Sequence, residues 1–129
     1  MIDGSLRQLF REHLPHVHWQ AIETGGTGRG IPDLNGCFAG IEVWIELKRM
    51  VGRRVLMRPE QVAWIERRAR AGGRVFIAVR KGKEQLFLVG PTGARHLLEN
   101  RFPAVLGRWS GGPRAWNWAE ITTILFGTK

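Results

Sequence analysis

An α/β domain built around a mixed β-sheet is what this chain predicts, on three observations. Helical and extended segments follow one another in the order α, β, β, β, α, β, β, α, α. The extended segments pair off into two hairpin-like runs, GIPDLNGCFAGIEVWIELKR from Gly30 to Arg49 and RVFIAVRKGKEQLFLVG from Arg74 to Gly90, with a helix between them. The length, 129 residues, suits one compact domain with a real core and is too short for two of ordinary size.

Each element has its own local reason. In GSLRQLFREHL, residues 4 to 14, Leu6, Leu9, Phe10 and Leu14 fall at helical spacing, with Ser5 or Asp3 available as a cap. HVHWQAIE alternates in the manner of a strand, and TGGTGRG follows it as a loop. Ile31 precedes Pro32 and is pushed toward extended geometry, so IPDLNGCF opens a second strand that turns back near Ala39 and Gly40 into IEVWIELKR. MRPEQVAWIERRARAGG reads as a helix, with Pro59 and Glu60 in its first turn, arginines in its later turns and Gly72-Gly73 as its stop. The β-prone runs RVFIAVRK and LFLVG flank a KGKE turn. TGARHLLENRF is expected to be helical up to Pro103, and Asn117, three residues before Glu120, starts a last short apolar helix.

Composition narrows the function. The chain is 43% hydrophobic with six tryptophans, which excludes disorder, and no window approaches the roughly 20 apolar residues of a membrane span. No membrane role is expected. The start, MIDGSLRQLF, lacks a basic segment followed by an apolar core, and the lone Cys37 has no internal disulfide partner, so a reducing, intracellular setting is expected. Against 11 Asp+Glu stand 20 Lys+Arg, a net charge of +9 that draws polyanions, nucleic acid first among them. Most of the excess is arginine, whose planar fork suits phosphate.

Acidic residues in such a protein need a reason. Along IEVWIELKR, strand alternation puts Glu42, Trp44, Glu46 and Lys48 on one face and Val43, Ile45 and Leu47 on the other, which is a burying face. If the preceding strand pairs antiparallel, Asp33 comes alongside Glu46 and Lys48. Two adjacent carboxylates repel unless a proton or cation sits between them. Mg²⁺ would accept these two carboxylates, the backbone carbonyl of Leu47 and a substrate phosphate, keeping water in its remaining positions. Such an ion lowers the pKa of a bound water and neutralises charge on phosphorus, and Lys48 could orient the attacking water or stabilise the developing charge. Phosphodiester hydrolysis follows from that set.

These residues resemble the signature of the PD-(D/E)XK nuclease superfamily: Pro32-Asp33, a spacer, then Glu46-Leu47-Lys48. In more detail GIPDL, IELK, the PEQ that opens a glycine-terminated helix, and the VFIAVR strand resemble the VRR-NUC group of Holliday-junction-resolvase-like nucleases, over about Glu23 to Lys81. The resemblance implies a restriction-endonuclease-like mixed sheet flanked by helices, with residues 1–129 a single VRR-NUC-like nuclease domain. It implies Asp33 and Glu46 as metal ligands with the Leu47 carbonyl, Lys48 as catalytic lysine and Gln61 beside the site, with Mg²⁺ as cofactor and Mn²⁺ as substitute. A further acid on the first helix would be Glu12, with Glu23 competing. A homodimer acting on branched DNA such as four-way junctions is implied too, because two symmetric cuts suit a two-fold protein. The compactness of a stand-alone nuclease suggests a cytoplasmic or nucleoid-associated protein of prokaryotic or phage origin, acting in the host cytoplasm in the latter case. The alternatives are a non-catalytic nucleic-acid-binding module, or a flap or single-strand nuclease subunit of a larger assembly.

Other features carry less. TGGTGRG lacks the Lys-Ser/Thr ending of a P-loop and any dinucleotide fingerprint, so no nucleotide cofactor is expected; Arg29 in it could touch a DNA phosphate. Arg49, Arg53, Arg54 and Arg58 are further DNA-binding candidates, and Arg67, Arg68 and Arg70 could extend that surface. His13, His16 and His18 have no fourth zinc ligand nearby. Trp109, Trp116 and Trp118 are too many large rings for a glycine-broken tail to bury alone, so they are expected to cover the main core or a subunit contact.

Overall fold

The computed structural model describes residues 4–23 and 29–127, so the suggested cap at Asp3 and most of the TGGTGRG loop lie outside the described residues. The elements are α1 (Gly4–His13), β1 (His18–Ala21), β2 (Leu34–Phe38), β3 (Ile41–Val51), β4 (Arg54–Val55), α2 (Pro59–Arg70), β5 (Arg74–Lys81), β6 (Gln85–Val89), α3 (Gly93–Leu98), β7 (Gly107–Trp109) and α4 (Trp118–Phe126). Among the described residues the strands form one seven-stranded mixed sheet in the order β1-β2-β3-β5-β6-β7, with β4 paired to β3. The α/β class and mixed sheet expected from the sequence are therefore observed.

Ala39 and Gly40, at φ 52° and 78°, make the tight turn between β2 and β3, both in the left-handed region that a two-residue hairpin turn requires. The resulting antiparallel register sets Leu34 opposite Ile45 and Phe38 opposite Ile41. β3 and β5 pair in parallel, Glu46 beside Ile77 and Lys48 beside Val79, and α2 is the crossover between them. β3 is thus an interior strand with a neighbour on each side.

Both sheet faces are covered. On one, Leu6 and Phe10 of α1, Leu14 just past its end, and Ile121 and Leu125 of α4 pack on Val43, Ile45 and Leu47. On the other, Val62 and Ile65 of α2 and Ala94 and Leu97 of α3 pack on Val75, Ile77 and Val79. Trp116 and Trp109 are buried in the first layer, where their indole N–H groups donate to the Glu84 carbonyl (2.7 Å) and the Glu120 carboxylate (2.8 Å). These rings cover the core, one of the two roles expected of them. His13 stacks on Trp118 and His16 meets Phe38 edge-on, so both imidazoles belong to aromatic packing.

Two helix ends differ in interest. At the end of α2, Gly72 (φ 94°) lets its own N–H reach the Ala69 carbonyl and the Gly73 N–H reach that of Arg68, a Schellman motif at the stop read from Gly72-Gly73. α3 closes the same way around Asn100 (φ 60°), whose N–H reaches Leu97 while the Arg101 N–H reaches His96. This helix therefore ends at Leu98 and does not continue to Pro103: the asparagine takes the left-handed cap and the proline follows in irregular chain. The start of α4 is as expected, with Asn117 Oδ1 accepting from the Glu120 N–H (3.0 Å). The strands β4 and β7, of two and three residues, are additions to the predicted elements.

Candidate active site

Asp33 lies one residue before β2, in the position that continues the β2–β3 register to Glu46. Its Oδ2 accepts from the Leu47 N–H at 2.9 Å, which ties the carboxylate to the middle of β3. Glu46 and Lys48 point to the opposite sheet face from Leu47, toward α2, and are 2% and 3% exposed. Among the described residues they are the buried charged ones in a core that is otherwise apolar.

Gln61, in the first turn of α2, joins them. Lys48 Nζ donates to Gln61 Oε1 at 3.0 Å, and Gln61 Nε2 donates to Glu46 Oε1 at 3.2 Å. The Arg58 N–H donates to the same Oε1 at 2.9 Å, so the amide also closes the first turn of α2. An arginine side chain has no acceptor to return, so one half of a capping box forms. Lys48 offers only donors, which orients the amide: its oxygen must face the ammonium and its nitrogen the carboxylate. Lys48 Nζ lies 4.0 Å from Glu46 Oε1.

The electrostatics are strained in one direction. Glu46 Oε2 is buried without a hydrogen-bond partner. Burial pushes the Glu46 carboxyl up to about 9, and the charge of Asp33 and the hydrogen bond that the protonated carboxyl alone can make to it add to the rise, against the pull of Lys48. Burial also lowers the Lys48 ammonium, while Glu46 and Asp33 hold it up. A hard divalent cation fits this donor set: it supplies the partner that Glu46 Oε2 lacks and stabilises both carboxylates as anions. Among the described residues no three His, Cys, Asp or Glu side chains converge as a ready cage, so the pair would leave most of a coordination shell to water, backbone oxygen and substrate.

The remaining predicted side chains are exposed. Glu12 is exposed on α1, accepts from Gln8 Nε2 at 2.8 Å, and belongs to the layer that covers the other sheet face. Glu23 is exposed at the edge of the described chain. Arg29, Arg49, Arg53, Arg54 and Arg58 are all exposed. Arg53 and Arg54 sit at the β3–β4 turn, and Arg58 at the cap of α2 is close enough to depress Lys48 electrostatically.

Gly30 is a positioning residue that the sequence reading missed. It holds φ 83°, and a Cβ there would fall 2.1 Å from the Glu60 carbonyl oxygen, so the loop carrying Asp33 is pressed against the start of α2. The available signal was a glycine directly ahead of Ile31-Pro32, the one residue there free to take a positive φ. Gly30→Ala is expected to lower the melting temperature by about 5 °C and cleavage at least ~10-fold, read by thermal melts beside a cleavage assay.

Comparison with known proteins gives the family and the fold. Residues 5–101 match the archaeal Holliday junction resolvase (Hjc) family. The structure of Hjc from Archaeoglobus fulgidus, a Holliday junction resolvase from an archaeal hyperthermophile, superposes with a TM-score of 0.60 over 96% of this chain and 100% of its own, at 14% identity. That likeness shows the restriction-endonuclease-like fold. Curated protein sequences yield no match. The matched residues span both strands of the Asp33–Glu46 hairpin and all of α2, and the chain belongs to the archaeal Holliday junction resolvase family, nucleases selective for branched DNA.

Proposed function

We propose that this chain cuts branched DNA, such as four-way junctions, at Asp33, Glu46, Lys48 and Gln61, as a Mg²⁺-dependent PD-(D/E)XK endonuclease. The observation that carries the reading is Glu46: a carboxylate buried beside a second one, with an orphaned oxygen, in a chain of net charge +9. A protein that only bound DNA would gain nothing from that pair, which repels phosphate. Asp33, Glu46 and the Leu47 carbonyl would hold Mg²⁺, with Mn²⁺ as a substitute. When bound, the ion supplies Lewis acidity at the scissile phosphate and acidifies water.

The chain's own residues do the rest. Lys48 places a positive charge where the phosphorane becomes more negative, inside a pocket where water does not screen it. Gln61 keeps that ammonium aimed by accepting from it while bridging to Glu46. Gln61→Ala is expected to lower single-turnover cleavage by ~10-fold, less than loss of Lys48 itself, because the charge survives and only its aim is lost. Arg29, Arg49, Arg53, Arg54 and Arg58 would carry phosphate contacts around the site.

The finer identity belongs to the same proposal. The GIPDL, PEQ and VFIAVR segments support a VRR-NUC-type nuclease occupying residues 1–129 as one domain. A homodimer is supported by the exposed Leu56, Phe102 and Leu106, which flank α3 and offer apolar surface to a second copy. Among the described residues no helix is long and apolar enough to cross a membrane, in keeping with a DNA-bound protein of the cytoplasm or nucleoid, whether prokaryotic or phage-encoded. The test is cleavage of labelled four-way junction, flap, single-stranded and linear duplex DNA in Mg²⁺, Mn²⁺ or EDTA, with wild type beside Asp33→Ala. Junction cuts that need metal and Asp33 are expected. Binding of every substrate with no cut in any metal would defeat the catalytic reading, and a monomer at micromolar concentration would defeat the dimer.

A further inference from the structure

Trp44 shares the α2-facing side of β3 with Glu46 and Lys48, and its Cα is about 7 Å from that of Glu46, two residues along the strand. Trp64 of α2 meets it with ring centroids 5.3 Å apart at 60°. Arg68, one turn further along α2, sets its guanidinium 4.5 Å from the Trp64 ring centroid and 5.2 Å from that of Trp44. All three side chains are only half-buried, and Trp64, Arg67, Arg68 and Ala71 line a surface hollow of about 330 Å³.

These two tryptophans differ from the others in the described chain. Trp19, Trp109, Trp116 and Trp118 each seat the indole N–H on a protein oxygen, at Leu14, Glu120, Glu84 and Pro113. Within the described residues Trp44 and Trp64 seat theirs on none. Closing the rim of the core would need only aliphatic side chains. Here the rim carries two large π-surfaces with unused donors and a cation lodged against both, on the same strand and helix as the residues of the proposed active site.

We infer that Trp44, Trp64 and Arg68 form a stacking platform for nucleobases exposed at the branch point, and so select branched over linear DNA at the proposed active site. The inference rests on that functional reading. In linear duplex every base-pair face is covered by its neighbours, and a surface aromatic finds nothing to stack on. At a branch, helical stacking is interrupted, and a terminal base-pair face or a displaced base becomes available. Stacking on an aromatic accepts any base, so the platform reads structure and not sequence, and one base on such a ring changes affinity by about 5- to 150-fold. Arg68 adds a cation at the same place for the adjoining phosphate.

The test places 2-aminopurine at the branch point of a four-way junction, or ten base pairs out along one arm, and titrates protein in Ca²⁺ to bind without cutting. Wild type is expected to change the fluorescence of the branch-point probe at least twofold more than that of the arm probe. Trp64→Leu, which keeps an apolar rim without a π-face, should lose that difference and about tenfold of the preference for junction over duplex, while Trp64→Phe keeps most of both. A wild type that prefers junctions yet affects the two probes equally overturns the inference alone, and this arm needs no variant to fold. Retention of the difference and of the preference by Trp64→Leu overturns it as well. A wild type with no preference for junctions removes the functional reading and the inference together.

Discussion

Single-turnover cleavage of a four-way junction is expected to fall by about 10²- to 10³-fold when Lys48 is replaced by methionine, while binding of the junction in EDTA is expected to change by less than ~3-fold. The contrast follows from where the charge sits. Lys48 is 3% exposed, so its ammonium adds little to the field that a DNA backbone meets at the surface. Its value is local: Nζ is fixed at 3.0 Å from Gln61 Oε1 and 4.0 Å from Glu46 Oε1, with no freedom to follow the phosphate as charge accumulates. A donor already in place stabilises the transition state without reorganising, and one in a desolvated pocket acts at low effective dielectric. Methionine keeps the unbranched stem that packs between β3 and α2, so folding is preserved and the loss reports on the charge. Arginine is not a substitute, because its planar fork needs more room than a point donor against one amide oxygen. Wild-type cleavage rates in Lys48→Met would remove this lysine from the reaction.

The hairpin and its carboxylates were legible because two local rules agree there. Alternation along Ile41–Arg49 assigned Val43, Ile45 and Leu47 to one face, and the Ala39-Gly40 turn fixed a register that brings Asp33 level with Glu46. Alternation could not say what covers the other face. A strand with Trp44, Glu46 and Lys48 on one side looks the same whether that side meets water or a helix, and α2 covers it so fully that Glu46 and Lys48 are among the least exposed side chains of the chain. Gln61 was placed near the site only through the resemblance of its PEQ segment, since nothing local predicts that an amide in a helix's first turn will bridge two residues of a strand 13 and 15 positions earlier. β4 and β7 are too short for a periodic signal and exist because an existing strand offers them an edge. The helix bearing Glu12 was read correctly as a helix, but which sheet face it covers is a matter of topology, and α1 covers the face away from Glu46.

Glu46→Gln is expected to divide stability from activity: it abolishes metal-dependent cleavage yet raises the melting temperature of the metal-free protein by about 4 °C. In the folded chain without metal, burial and Asp33 push the Glu46 carboxyl from its ordinary 4.5 up to about 9. Between those values the folded state holds a proton that the unfolded state has released. The contribution of this group to stability is therefore whole below about pH 4.5 and declines as pH rises toward 9. Glutamine is neutral throughout, preserves an oxygen for Gln61 Nε2, and leaves Asp33 without an anionic neighbour, so melting temperatures of the variant in EDTA should decline less steeply from pH 5 to 9. Mg²⁺ reverses the comparison. It binds the ionised pair and stabilises the wild-type fold in proportion to the logarithm of its concentration over its dissociation constant, whereas the variant offers one carboxylate and should show little shift. Equal pH slopes and equal Mg²⁺ shifts in the two proteins would mean that Glu46 neither carries the buried proton nor meets the ion. Glu46 would then be a packing residue, and hydrolysis would have to be assigned to other acids of this chain.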